Sequence, residues 1–341
     1  MRLRRSDLDR PGYTRRRHGR GLVFLDTAGR RITDRTELER LRGLAIPPAW
    51  RDVWISPHPG GHIQATGIDA AGRKQYLYHP RWRAKRDAAK FDHVLAVARR
   101  LPALRIQVDA DLARRGLCRG RVLAAVARLL DMGTFRIGGD QYAAGDDPTF
   151  GVATLRPEHA RASRGTVVLE FPAKGGIRQV RQVEDPAACA VLRALRRRRR
   201  GEERLFAYWD GRTWRDLRSD EINGYLRETS GVDMTAKDFR TWHATVLAAR
   251  RLALLGPQSS SARSRRAVAA VMREVADLLG NTPTVARASY VDPRVVDLYH
   301  DGVIVHIDSD AEREEAEEAV LALLGDDAGT APTRPTPRLV R

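Results

Sequence analysis

The spacing of hydrophobic residues changes once along the chain, from a period of two before about residue 80 to a period of three to four after it. In the first part, short alternating runs are separated by glycine and proline, which is typical of strands joined by turns. The runs predicted as strands are 21–26, 31–32, 52–56, 62–67 and 73–79. They predict a small, mostly β N-terminal domain.

From residue 83 onward the apolar residues recur at the spacing of one helix face, which predicts mainly helical structure. Three predicted strands interrupt the helices, at 151–155, 165–171 and 177–183. The loop between the last two puts Lys174 at the tip of a hairpin. The predicted fold class is therefore α+β, with a mainly α-helical second domain that contains a short β-hairpin sheet.

Composition adds two terminal segments to this division of the chain. The first 20 residues are rich in arginine, and the last residues are rich in proline and threonine. The predicted limits are a flexible basic arm over 1–20, the β-rich domain over 21–82, the mainly helical domain over 83–325 and a disordered tail over 326–341. The arm is interpreted either as a solvated tail or as a segment that touches a polyanion.

A formal net charge of +18 makes a polyanionic partner the leading expectation, with nucleic acid ahead of acidic membrane surfaces. No apolar run is long enough to span a membrane, so a cytoplasmic protein is expected. Cys118 and Cys189 are too few and too far apart for a disulfide scaffold or a zinc cluster. The histidines have no metal-binding spacing, and we predict no metal site.

The predicted strand 73–79 carries side chains that suit nucleic acid. Alternation places Tyr76 and Tyr78 on the face opposite to Gln75, and Arg73 and Lys74 precede them. Amide, aromatic and basic groups contact bases and phosphates. The alternative interpretation is an ordinary amphipathic edge strand.

A polar turn between two predicted helices precedes Tyr290. The first helix should end at Gly280, and the second should begin with Thr282 as N-cap and proline after it. Helical side chains lean toward their own N-terminus, so the phenol of Tyr290 is expected near the turn that holds Asn281. A tyrosine in a short helix is more commonly a packing residue, but this one is a candidate nucleophile.

Several segments together resemble the type IB DNA topoisomerases of the compact poxvirus and bacterial kind. The similarity covers about residues 21–290. Its carriers are 67–78 (GIDAAGRKQYLY), 135–138 (FRIG), 151–155 (GVATL), Lys174 on its hairpin, 237–241 (KDFRT), 279–283 (LGNTP) and Tyr290. The resemblance assigns DNA binding to the domain over 21–82 and catalysis to the domain over 83–325.

The resemblance implies a role for each matching side chain. Tyr290 would attack the scissile phosphate, which gives a 3′-phosphotyrosyl enzyme and a free 5′-hydroxyl. Arg136 and Arg240 would hold the nonbridging oxygens, because a guanidinium meets two phosphate oxygens at once. Lys174 would act as general acid toward the 5′ oxygen. Asn281 stands where many family members have histidine, and it can donate a hydrogen bond but cannot exchange a proton.

The resemblance also implies how such an enzyme works. The phosphotyrosine bond conserves the energy of the phosphodiester, so neither ATP nor another cofactor is expected. Rotation of the free end would relax supercoils of either sign. Lys237 matches a family lysine that either assists proton transfer or only touches phosphate. The implied architecture is a C-shaped clamp around double-stranded DNA, formed by a monomer that associates with the nucleoid.

Two other functions fit parts of the sequence. A tyrosine recombinase or integrase has related tyrosine and arginine chemistry, but its N-terminal part is usually helical rather than β. A basic DNA-binding protein without catalysis would explain the charge but not the five catalytic positions.

Overall fold

The computed structural model describes residues 2–19, 21–198, 204–308 and 310–325. The chain divides into two compact units, one ending at Phe91 and the other beginning at Asp92. The predicted tail over 326–341 lies outside the described residues. Within the described ranges, no helix combines the length and the apolar character needed to cross a membrane.

The first unit contains two small antiparallel sheets and a helix, so the prediction of strands in the N-terminal part is confirmed. Its elements are β1 (Thr14–His18), β2 (Gly21–Leu25), α1 (Arg35–Gly43), β3 (Arg51–Ile55), β4 (Ile63–Ile68) and β5 (Lys74–Tyr78). β1 pairs with β2, and β4 lies between β3 and β5. The core of this unit consists of Phe24, Leu41, Ile46, Val53, Ile55 and Ala65.

The prediction of a flexible arm over 1–20 is wrong for β1, which pairs with β2 along its whole length. The guanidinium of Arg15 ties the strand down by donating to the carbonyl of Ile46 at 2.8 Å. The strand was missed because its exposed arginines hide the alternation, while its backbone still forms the ladder. The predicted partner, residues 31–32, contributes a single bridge at Arg31.

The second unit is mainly helical, as predicted, and it contains a three-stranded antiparallel sheet in the order β6-β7-β8. The elements from the junction onward are α2 (Pro80–Ala98), α3 (Leu101–Leu112), α4 (Arg119–Leu130), β6 (Ala160–Ser163), β7 (Thr166–Pro172), β8 (Arg178–Val183), α5 (Pro186–Arg196), β9 (Ala207–Trp209), β10 (Trp214–Asp216), α6 (Ser219–Ser230), α7 (Ala236–Leu255), α8 (Ser261–Leu279), α9 (Pro283–Ser289), α10 (Pro293–His300) and α11 (Arg313–Leu324). The structure is therefore α+β.

The strand predicted over 151–155 is wrong, because Val152–Thr154 forms a buried 3₁₀ turn. The amides of Val152 and Ala153 donate to the carbonyls of Arg136 and Ile137 at 2.9 and 2.7 Å. β-branched residues indicated a strand, but the backbone partners are in a distant loop rather than in a sheet. The turn consequently fixes the backbone that carries Arg136.

The polar turn after α8 has the predicted form. Gly280 adopts a left-handed conformation with φ of 60°, which an L side chain rarely tolerates. The side chain of Thr282 accepts from the amide of Val285 and caps α9, whose first residue is Pro283. Tyr290 is the C-cap of α9, so the expectation that it lies within the helix is wrong by one position.

Candidate active site

Tyr290 is 9% exposed, and its backbone is hydrogen-bonded. Its amide donates to the carbonyl of Ala286 at 3.0 Å. The hydroxyl of Thr245 donates to the carbonyl of Thr241 at 2.9 Å and lies 3.3 Å from the carbonyl of Tyr290, and it accepts from the amide of Asp292 at 3.1 Å. Thr245 on α7 thus contacts the backbone at Tyr290 and Asp292, so α7 helps to set the position of the phenol.

Arg240 lies beside the phenol and is itself only 3% exposed. Its Cζ is 5.3 Å from the centroid of the Tyr290 ring. Nη1 donates to the carbonyl of Thr134 at 2.7 Å, and Nη2 donates to the carbonyl of Leu279 at 2.8 Å. Nε is buried and has no hydrogen-bond partner among the described residues. The guanidinium is thus anchored by neutral oxygens and keeps its full charge.

Arg136 and Asn281 contact each other at the turn after α8. Nη2 of Arg136 donates to Oδ1 of Asn281 at 2.7 Å and to the carbonyl of Gly280 at 3.1 Å. This orients the amide of Asn281, because its oxygen must face the arginine. Its Nδ2 is buried and, among the described residues, has no acceptor. The side chain therefore has an unused donor.

The cations change the ionisation of Tyr290. Burial raises the pKa of a phenol, but the positive charges of Arg240 and Arg136 outweigh burial and lower the pKa of Tyr290 below its ordinary value. Lys237, which is exposed in the first turn of α7, adds to the lowering. Burial and the charge of Arg136 lower the pKa of Arg240 to about 10. The site thus favours a phenolate.

Lys174 lies at the tip of the β7–β8 hairpin, as predicted, and is exposed. The turn is closed by the amide of Ala173, which donates to the carbonyl of Ile177 at 2.8 Å. Lys174 lines one small pocket together with Arg136 and Gly280. The structure therefore brings Lys174 to the same pocket as one of the two predicted arginine clamps.

Arg181 was missed by the sequence analysis and lies at this pocket as well. It is half-buried on β8, and its Nη2 donates to the carbonyl of Leu278 at 3.1 Å. Burial lowers the pKa of its guanidinium. The strand pattern could have identified Arg181, because alternation from buried Val183 puts Arg181 and Gln179 on the same inner face of β8.

The predicted DNA-binding residues lie in the first unit, on β5 and its preceding turn. Tyr76 and Tyr78 are exposed and their rings are stacked, with centroids 6.1 Å apart. The ammonium of Lys74 lies 5.8 Å from the Tyr76 ring centroid. Arg73 and Gln75 both contact the carboxylate of Asp69. The predicted face of aromatic and basic groups exists, and its contact with DNA stays a prediction.

Known proteins resemble both units. The family described as eukaryotic DNA topoisomerase I, catalytic core, matches residues 79–311. The family described as bacterial DNA topoisomerase IB, N-terminal domain, matches residues 21–69. The chain is also similar to DNA topoisomerase 1B of Acanthamoeba polyphaga mimivirus, with 28% identity over 272 residues that cover 77% of this chain and 80% of the relative.

Proposed function

The chain belongs to the type IB DNA topoisomerases, and from this premise we propose that it relaxes supercoiled DNA through an ester between Tyr290 and a DNA phosphate. The observation that carries the assignment of the nucleophile is the cation beside the phenol. The Cζ atom of Arg240 is 5.3 Å from the Tyr290 ring centroid, and the pKa of Tyr290 is lowered. Both favour the reactive phenolate.

The attack adds negative charge to the nonbridging oxygens of the phosphate. Arg136 and Arg240 offset this charge, because their contacts with neutral oxygens leave both guanidinium groups positive. The unused donor of Asn281 supplies one neutral hydrogen bond. Asn281 cannot accept the phenol proton, but the cations lower the pKa of the phenol, so that this proton can pass to solvent before the attack.

Cleavage forms the bond between Tyr290 Oη and phosphorus and breaks the bond from phosphorus to the 5′ oxygen. Lys174 gives its proton to that departing oxygen, and its place at the hairpin tip beside the Arg136 pocket supports this role. Religation reverses the step, because the free 5′-hydroxyl returns the proton and attacks the phosphotyrosine. Strand rotation between the two steps releases torsion of either sign without ATP or metal.

The DNA is held mainly through its phosphates, which the charge of +18 attracts. β5 and the turn before it contribute Arg73, Lys74, Gln75, Tyr76 and Tyr78 to this surface. We further propose that the two units close on the duplex as a C-shaped clamp, and that a single copy acts at the nucleoid in the cytoplasm.

The test is relaxation of a negatively or positively supercoiled plasmid in EDTA without ATP, comparing the protein with Tyr290→Phe. The protein should relax both plasmids and should form a covalent adduct on the 3′ side of the nick. Tyr290→Phe should still bind DNA but should neither relax it nor form the adduct. An active Tyr290→Phe variant would contradict the assignment of the nucleophile.

A further inference from the structure

Three arginines from different elements converge on the carbonyl oxygens at the C-terminal end of α8 and its C-cap, Gly280. The pairs are Arg181 with Leu278, Arg240 with Leu279, and Arg136 with Gly280. The C-terminal end of a helix carries partial negative charge, so it attracts cations without neutralising them. The end of α8 therefore serves as a common support for positive side chains that come from a strand, a helix and a loop.

Arg181 differs from the other two because it comes from the hairpin that carries Lys174. Its bond to Leu278 ties β8 to α8. Gln179 on the same strand also approaches α8, since a Cβ atom on Gly280 would lie 3.0 Å from its Nε2. Nε of Arg181 is buried and finds no partner among the described residues. The hairpin is thus attached to the helix through Arg181 and adjoins it through Gln179.

We propose that Arg181 is a positioning residue for proton transfer, which fixes the hairpin so that Lys174 faces the departing 5′ oxygen. The inference rests on the proposed role of Lys174 as general acid. Both residues line the same pocket as Arg136, so a shift of the hairpin changes the position of the acid relative to the phosphate. A displacement of about 1 Å can slow a positioned reaction by roughly 100-fold.

A sulfur atom in place of the bridging 5′ oxygen distinguishes a defect in the general acid from a defect in the nucleophile, the phosphate contacts or DNA binding. A thiol has a pKa of about 8.5, so a thiolate leaves without a proton. An oxygen leaving group resembles water, with a pKa of about 15.7, and needs the proton of Lys174. The phosphate, the nucleophile and the DNA contacts are the same in both substrates.

The experiment measures single-turnover cleavage by Arg181→Gln on matched oxygen and sulfur duplexes, at a cleavage position mapped beforehand. On the oxygen substrate, cleavage should slow by about 10- to 100-fold. On the sulfur substrate, the rate should stay within about 3-fold of the unmodified protein. Arg181→Lys, which keeps one donor for Leu278, should recover part of the loss.

Arg178→Gln is the matched control, because Arg178 lies on the same strand, is exposed and pairs with Glu170. It should cleave both substrates at nearly the normal rate. Equal slowing of Arg181→Gln on both substrates, or no slowing on oxygen, would overturn the inference. Lys174→Ala tests the role of Lys174 separately from the role of Arg181. If the sulfur substrate does not restore cleavage by Lys174→Ala, the assignment of Lys174 as general acid is wrong.

Discussion

Two clusters of arginines in the second unit use the same side chain in opposite ways. Near Tyr290, the arginines are held by carbonyl and amide oxygens. Near α11, Arg105 donates to Asp131 and Glu317 at 2.9 and 2.8 Å. We call the first group the carbonyl-bound cluster (Arg136, Arg181 and Arg240) and the second the carboxylate-bound cluster (Arg105, Arg313, Asp131, Glu317 and His243).

The difference is visible in the ionisation of the two groups. Burial lowers the pKa of Arg240 to about 10. Burial acts on Arg105 in the same direction, but its bonds to Glu317 and Asp131 prevail and raise its pKa. A cation that is paired with carboxylates has its charge offset within the fold, whereas one that rests on neutral oxygens remains available to a phosphate.

The largest effect is expected from Arg240→Gln in the carbonyl-bound cluster. Removing a charge that lowers the pKa of the phenol and offsets the charge gained in the attack should slow cleavage by on the order of 1,000-fold. DNA binding should change little, since most of the affinity comes from other phosphates. Single-turnover cleavage and a binding titration measure the two quantities. Arg251→Gln, an exposed arginine on the same helix, is the control. Parallel losses of binding and cleavage would contradict the assignment.

In the carboxylate-bound cluster, Glu317→Gln should lower the stability of the protein and leave cleavage nearly unchanged. It leaves Arg105 and Arg313 with fewer partners, and breaking a buried pair costs about 3 kcal/mol of unfolding free energy. Cleavage per folded molecule should stay within a few-fold. Urea unfolding measures the loss, and Glu314→Gln, whose carboxylate is mostly exposed, should change stability by less than about 1 kcal/mol. An unchanged urea midpoint for Glu317→Gln would contradict the proposal that Glu317 stabilises the fold.

Acid should weaken the same cluster. The pKa of Asp131 is lowered because its bonds with His243 and Arg105 and the nearby positive charges outweigh burial. The pKa of Glu317 is lowered because its bonds with Arg105 outweigh burial. Carboxylates with a depressed pKa contribute stability that is complete above their unfolded value of about 4 and is lost as the pH falls below it. The unfolding free energy should therefore fall below about pH 4, and less steeply in Asp131→Asn. Parallel curves for both proteins would contradict this.

The smallest effect is expected from Lys237→Gln on the pH dependence of cleavage. The protonated phenol is inactive, and Lys237 lowers the pKa of Tyr290, so its removal should move the midpoint of the rising limb upward. The sulfur substrate isolates this limb, because its leaving group needs no acid. For the unmodified protein, the midpoint should lie below about 10, the value of free tyrosine. A downward shift in Lys237→Gln would be inconsistent with its charge acting on the phenol.

Local signals predicted the parts of the site that depend on neighbours in sequence. The helix end at Gly280 and the N-cap at Thr282 were both predicted, because each bond joins residues a few positions apart. The hairpin tip with Lys174 was predicted for the same reason.

Long-range contacts were not accessible to the same reasoning. The bond of Arg105 to Glu317 spans 212 positions, and the bond of Arg181 to Leu278 spans 97. Local alternation also failed at 152–154, where the buried backbone bonds to Arg136 rather than to a strand. The resemblance to a family placed Arg136 and Arg240, and it had no position for Arg181.

The carbonyl-bound cluster has a practical consequence for anyone who handles the protein. Among the described residues, its guanidinium groups pair with no carboxylate, and Nδ2 of Asn281 has no acceptor. A small tetrahedral anion satisfies both needs at once. We therefore expect sulfate and phosphate to compete for the place proposed for the DNA backbone, and to inhibit cleavage rather than act as inert buffer components.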